Sequence, residues 1–346
     1  MMSFTTAEQF EQLYARVIRT FTSGKTLSLA WRKWQLKQLW WMVEDNRNDL
    51  LAALKKDLNR HDFESLASDI YAIRTEILET IQHLEEWAGD EYPKAGFIFG
   101  TLGKARIRKE PLGVTLIIGA WNFPVLLVLK PLVAAIAAGC CAIIKPSDLT
   151  LATQNVLAEI VPKYLDTDAI RVVTAGPSEM TYILDHKFNH IFYTGSAKVA
   201  RIITAAAAKH LTPVTLELGG QSPAVLTPSA DVDLAAKRIA STKFLNAGQI
   251  CLSVNHVFVP PVIHEEFVQR LIYWFDKFLG ENKDNPKDMV KIINDRNFDR
   301  LEGLVSRTYG SIAYGGKMNR EDGYIQPTVV TGVLPSGNFS SSCSHE

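Results

Sequence analysis

The chain has 346 residues, 47% of them apolar and 21% charged, and its 37 Lys and Arg balance its 37 Asp and Glu. Zero net charge excludes a general nucleic-acid binder, whose phosphate partners demand a surplus of Lys and Arg, and this much apolar side chain excludes a disordered chain. The cysteines, Cys140, Cys141, Cys251 and Cys343, contain no Cys-x-x-Cys pair, so they read as thiols of a reduced, intracellular protein and as neither a disulfide scaffold nor a metal site.

Residues 1–20 are amphipathic, carry Glu8, Glu11, Arg16 and Arg19, and lack the apolar core of a signal peptide. Thr5 and Glu8 fit a capping box at the first helix start. Trp31, Trp34, Leu36, Leu39, Trp40 and Val43 recur at helical spacing, followed by Leu50, Leu51 and Leu54, and the tryptophans read as packing. Phe63 to Trp87 predicts a further helix, with Leu66, Ile70, Ile73, Ile77, Leu78, Ile81 and Leu84 on one face. Beyond Tyr92-Pro93, Phe97-Ile98-Phe99 and Ala105-Arg106-Ile107-Arg108-Lys109 flank a Gly-rich turn and predict a hairpin or an extended arm.

From Gly113 the texture changes to short β-branched runs alternating with helical patterns. Strands are predicted at 114–118, 140–144, 170–174, 190–193 and 214–218, with helices at 125–138, 151–165, 178–184 and 197–210 between them. Such alternation implies right-handed crossovers and a parallel sheet covered on both faces. The most apolar stretch, Leu112 to Ile144, is interrupted by Asn122, Pro124, Lys130 and Pro131, short of the roughly 20 apolar residues of a spanning helix. A second unit starts near Gly219-Gly220, with strands at 224–226 and 254–259 and helices at 234–244 and 265–279. Residues 333–346 are Ser-rich and predict a disordered tail.

Three polar residues lie at strand or helix ends in apolar surroundings. Cys251, in Asn246-Ala247-Gly248-Gln249-Ile250-Cys251-Leu252-Ser253, is flanked by small turn-forming residues. It is either a nucleophile, as a thiolate, or an inert buried thiol. Glu217, ahead of Leu218-Gly219-Gly220, suits a general base with a raised pKa or an ordinary strand-terminal acid. Asn122, after the first strand, can donate to a developing oxyanion or cap the helix that follows.

Trp121-Asn122-Phe123-Pro124, Lys145-Pro146-Ser147, Phe192-Tyr193-Thr194-Gly195-Ser196, Glu217-Leu218-Gly219-Gly220 and Gly248-Gln249-Ile250-Cys251 occur in the order and approximate spacing of one family. On these motifs the chain resembles the aldehyde dehydrogenase superfamily, most closely its class-three, fatty-aldehyde-like branch, from the first helices to about Thr331. Pattern and resemblance together predict an α/β fold. Residues 1–217 would hold N-terminal helices and a Rossmann-like parallel-sheet NAD-binding domain, and 218–332 an incomplete α/β catalytic domain.

The resemblance implies that Cys251 attacks an apolar aldehyde (fatty, aromatic or terpenoid-derived). The side-chain amide of Asn122 and the Cys251 N–H would hold the oxygen, hydride would pass to NAD or NADP, and Glu217 would activate water to hydrolyse the thioester. Cofactor contacts fall to Trp121, Lys145, Ser147, Gly195 and Ser196, the last two opening a helix whose amides suit a pyrophosphate. Only one glycine of the Gly-x-Gly-x-x-Gly fingerprint is present, a reduced pattern the family shares. Lys145 suits NADP as well as NAD, and Asp148 three residues on leaves that choice open. The family's Glu-x-Phe-Gly-Pro motif is missing after Gln326-Pro327-Thr328-Val329-Val330. The expectation is therefore a chain truncated near Gly332, with part of the substrate tunnel and the subunit-pairing strand of the family's homodimer absent. A catalytically weak or inactive nucleotide-binding remnant is the alternative. No apolar tail for membrane association follows, so the expected location is cytoplasmic.

Overall fold

In the computed structural model, residues 4–281 and 287–333 are described; the predicted tail, apart from Val333, lies outside them. Contacts divide the chain into two units. The first comprises the described residues of Met1–Ala53, Leu66–Thr194 and Arg201–Glu217, the second those of Leu54–Ser65, Gly195–Ala200 and Leu218–Glu346.

Helices α1 (Ala7–Thr22), α2 (Leu29–Asp45) and α3 (Arg47–Leu58) open the chain. The capping box of α1 is formed by Thr6 and Gln9, one residue later than the sequence predicts. Thr5 is engaged elsewhere: its N–H donates to the Thr174 carbonyl (2.8 Å) and its hydroxyl accepts from the Thr174 N–H (3.0 Å). The buried face of α2 holds Arg32, Gln35, Leu36, Leu39, Met42 and Val43, an i, i+3, i+4, i+7 stripe that excludes Trp34, which is 58% exposed. Reading every tryptophan as packing is therefore wrong for Trp34.

The single helix predicted over Phe63–Trp87 is broken. A short α4 (Asp62–Ser65) leads into a π-helical turn over Leu66–Ile70 and then α5 (Tyr71–Ala88). The extra residue of that turn accompanies the placement of fully buried Asp69, whose carboxylate accepts the N–H groups of Val125 (3.2 Å) and Leu126 (2.7 Å). The predicted hairpin is also absent: Gly96–Leu102 forms π-helical turns, and Glu91 and Ile107 make one antiparallel bridge.

Five strands form the sheet of the first unit: β1 (Val114–Ile118), β2 (Cys141–Lys145), β3 (Ile170–Val172), β4 (His190–Gly195) and β5 (Val214–Leu218). Their order is β3-β2-β1-β4-β5, and β1 pairs in parallel with β2 and β4, as does β2 with β3. The strands alternate with α6 (Leu126–Ala138), α7 (Leu151–Tyr164), α8 (Pro177–Leu184) and α9 (Ala197–Ala208). Every residue of β1 and β2 is buried, which explains why both read as unbroken apolar runs. Gly139 ends α6 in the left-handed region (φ 82°), and a Cβ there would lie 2.5 Å from the Arg32 guanidinium. That guanidinium caps the helix through the Ala137 carbonyl at 3.1 Å.

In the second unit β6 (Ala224–Val225) pairs in parallel with β7 (Val257–Phe258). Helix α10 (Val232–Phe244) packs on α11 (Pro261–Leu279), whose buried stripe is Ile263, Phe267, Leu271, Phe275 and Leu279 at four-residue steps. Then come α12 (Asp295–Ser306), β8 (Ser311–Tyr314), β9 (Met318–Asn319), β10 (Tyr324–Ile325) and β11 (Val329–Thr331), the strands pairing antiparallel as β8 with β11 and β9 with β10.

Candidate functional site

The strand order reverses at β1, the chain running out to β3 and returning on the other side to β4. At such a reversal the loops leaving the carboxyl ends of the strands diverge and open a crevice suited to a ligand. Lys145 ends β2 in register with Ile118, and Tyr193 faces Ile118 from β4. Trp121 and Asn122, both half-buried, follow β1, and buried Ser147 follows β2. Sequence reasoning thus named residues that the fold gathers at one edge of this sheet.

Asn122 is not the N-cap residue of α6. The N-cap position is Val125, and the carboxylate of Asp69 takes the first amides instead. Asp69, which accepts these amides, is a residue the sequence reading missed. The Lys145 ammonium donates to Asp148 (2.7 Å), and the Ser147 hydroxyl accepts from the Leu149 N–H (3.3 Å). An ammonium has three protons to donate, so a ribose hydroxyl can still be served. Thr194, next to the last residue of β4, carries a buried hydroxyl without a hydrogen-bond partner. Gly195 closes β4, and the Ser196 hydroxyl accepts from the Val199 N–H (3.3 Å) at the start of α9. A helix start of twelve residues with its amides directed back along the axis favours anionic oxygen there. The Lys145 ammonium and the Thr194 hydroxyl fit the hydroxyls of a dinucleotide, and the start of α9, taken by itself, fits an anionic group such as its pyrophosphate.

Glu217 lies on the edge strand β5 with its carboxylate exposed. Cys251 belongs to the second unit and is half-buried. By contrast, Cys140 and Cys141 are buried, and burial, reinforced by neighbouring Cys140, pushes the Cys141 thiol up to about 12. Among the described cysteines Cys251 is the accessible one.

The backbone around Cys251 is tightly held. A Cβ on Gly220 would lie 2.9 Å from the Cys251 carbonyl oxygen, so only glycine admits this approach, and the Ser222 hydroxyl donates to the same oxygen (3.3 Å). Upstream, Asn246 and Ala247 are left-handed at φ 51° and 52°. Fully buried Arg60 donates to the Asn246 Oδ1 (2.5 Å), while Glu64 accepts the Asn246 N–H (2.6 Å). Gln249 donates to the Asn246 and Lys291 carbonyls (3.2 and 3.1 Å) and accepts the Ile293 N–H (3.2 Å). Sequence reasoning missed Arg60, Glu64 and Ser222. For Asn246 a signal existed, since Asn is the side chain that best tolerates the left-handed region. Among the described residues no cluster of three metal-ligating side chains occurs, and no helix is long and apolar enough to cross a membrane.

Residues 2–340 match the family model described as the aldehyde dehydrogenase family. The chain is 40% identical over 326 residues to aldehyde dehydrogenase family 3 member B3 of Mus musculus, covering 94% of this chain and 67% of that one. It is 40% identical over 320 residues to the Rattus norvegicus aldehyde dehydrogenase named dimeric and NADP-preferring, covering 92% and 70%. Among solved structures, the substrate-bound state of Staphylococcus aureus AldH superposes with a TM-score of 0.91 at 31% identity, over 96% of this chain and 72% of that one.

Proposed function

The chain belongs to the aldehyde dehydrogenase family, and from that premise we propose that it oxidises an apolar aldehyde to the carboxylic acid through a covalent intermediate on Cys251. NAD(P)-dependent aldehyde oxidation is the activity of the family; the substrate class and the roles of individual residues are our reading. The thiolate of Cys251 attacks the aldehyde carbon, a C–S bond forms, and the carbonyl π pair moves to oxygen. The Asn122 amide and the Cys251 backbone N–H donate to that oxygen as its charge grows. NAD or NADP, when bound, would supply the hydride acceptor for oxidation of the thiohemiacetal to the thioester. Glu217 takes a proton from water as the water attacks the thioester carbon, the C–S bond breaks, and the thiolate of Cys251 is restored as the acid leaves. Lys145, Ser147, Thr194, Gly195, Ser196 and Trp121 are the residues that would hold the dinucleotide.

The observation that carries this reading is the contrast among the thiols: Cys251 accessible on a braced loop, Cys140 and Cys141 buried in the sheet unit. The test is NADH formation by the purified full-length chain with NAD and aldehydes of increasing chain length. Activity rising with chain length and abolished by Cys251→Ala supports the proposal; activity that survives Cys251→Ala refutes it. The free thiols of Cys140, Cys141 and Cys251 fit a reducing compartment, so a cytoplasmic location is the one we propose, and cell fractionation tests it. The rat relative is named dimeric, and that assembly is not assigned to this chain.

A further inference from the structure

We propose that Arg60 is a positioning residue for the nucleophile: its buried guanidinium sets the backbone of the turn that delivers Cys251. This rests on reading Cys251 as the nucleophile. Arginine is almost never fully buried unless its charge is met by partners. Here Arg60 has no exposed surface, and its charge is met by the Asn246 side-chain oxygen at 2.5 Å and by the Glu64 carboxylate at 3.8 Å.

What Arg60 holds is a strained segment. Two consecutive non-glycine residues, Asn246 (φ 51°, ψ 30°) and Ala247 (φ 52°, ψ 30°), occupy the left-handed region. Alanine there brings its Cβ against the following carbonyl, and such a conformation persists only where its surroundings over-determine it. Asn246 is held at every polar group: Oδ1 by Arg60, N–H by Glu64, Nδ2 by the Gln249 carbonyl (3.1 Å), and its own carbonyl by the Gln249 N–H (3.0 Å). Past Cys251, the Ser253 hydroxyl donates to the Thr242 carbonyl (3.1 Å). The segment from Asn246 to Ser253 is thus pinned on both sides of the sulfur. Arg60 supplies a charged donor to the upstream pin, across 186 residues of sequence. Without it, the two left-handed residues relax toward ordinary backbone and the thiol shifts.

The experiment is a double-mutant cycle on the full-length chain with Arg60→Met, Asn246→Ala and the double variant, and with Arg60→Lys as the conservative replacement. One readout is the rate at which iodoacetamide alkylates Cys251, followed by mass spectrometry without coenzyme or aldehyde; the other is kcat against KM. Each single variant lowers both the alkylation rate and kcat about tenfold or more, as a misplaced reacting group does. KM for aldehyde stays within about twofold, the pattern of an interaction that acts on the chemical step. The double variant falls no further than the worse single, and Arg60→Lys lies between Arg60→Met and wild type. Wild-type alkylation in Arg60→Met, even with a lowered Tm, overturns the proposal, as do losses that multiply in the double variant. If Arg60→Met fails to fold by circular dichroism, Arg60→Lys takes its place in the cycle. Oxidation that survives Cys251→Ala sinks the nucleophile reading instead, and the alkylation cycle still decides the positioning role.

Discussion

Gly220→Ala isolates the close approach behind Cys251. The added Cβ would stand 2.9 Å from the Cys251 carbonyl oxygen, whereas comfortable contact begins near ~3.5 Å. A shift of ~0.6 Å must follow, and because a 1 Å misplacement at a reacting centre costs about a hundredfold, kcat falls about tenfold. The direction is set by the neighbours: the oxygen is also held by the Ser222 hydroxyl, so the peptide that moves is Cys251–Leu252, which is bonded directly to the Cα that carries the reacting sulfur. The overpacking itself destabilises by about 1–3 kcal/mol. No left-handed backbone is involved at this glycine, so the effect reports the steric contact alone. The assay pairs steady-state NADH formation with iodoacetamide labelling of Cys251 at neutral pH, where the Cys141 thiol, at about 12, stays protonated. Coenzyme affinity is expected to remain unchanged. Wild-type kcat and a wild-type labelling rate in Gly220→Ala would refute the reasoning.

Three further outcomes are expected. Asp69→Ala removes the carboxylate that accepts two amides at the start of α6 and lowers stability by about 1.5–3 kcal/mol, read from urea denaturation; a change within error of zero denies the capping role. Asp148→Ser takes a negative charge from beside Lys145, 2.7 Å away, and shifts the kcat/KM ratio toward NADP several-fold, since one like charge near a 2′-phosphate opposes it by on the order of 1 kcal/mol; an unmoved ratio counts against Lys145 as the ribose ligand. Burial alone would raise the Asp166 pKa, but the Lys25 ammonium at 2.6 Å, the Trp31 N–H and the Asp168 N–H outweigh it and hold it below its ordinary 3.8. That contribution is present above pH 3.8 and lost as the pH falls through the depressed value. Lys25→Met therefore lowers Tm at neutral pH and flattens the acid side of the Tm profile, and an unchanged profile contradicts the assignment.

Local chemistry carried most of the architecture. The β-branched runs at 114–118 and 214–218 became β1 and β5 with the predicted bounds, and the motifs around Asn122, Lys145, Gly195 and Cys251 pointed to a family that the comparisons then showed. Both signals are short in range: side-chain periodicity reports which face is buried, and a motif reports a turn and the atoms it presents. The π-helical turn at Leu66–Ile70, the shift of the cap from Thr5 to Thr6 and the exposure of Trp34 escaped it. The first two answer to partners far along the chain, the Val125 and Leu126 amides for Asp69 and Thr174 for Thr5. Arg60 is the plainest case, for in a polar stretch between helices nothing local separates it from a solvated surface cation. Only folding decided that it would be buried, because its hydrogen-bond partner Asn246 is brought beside it by tertiary packing, and a contact of that range leaves no periodicity in the sequence on either side.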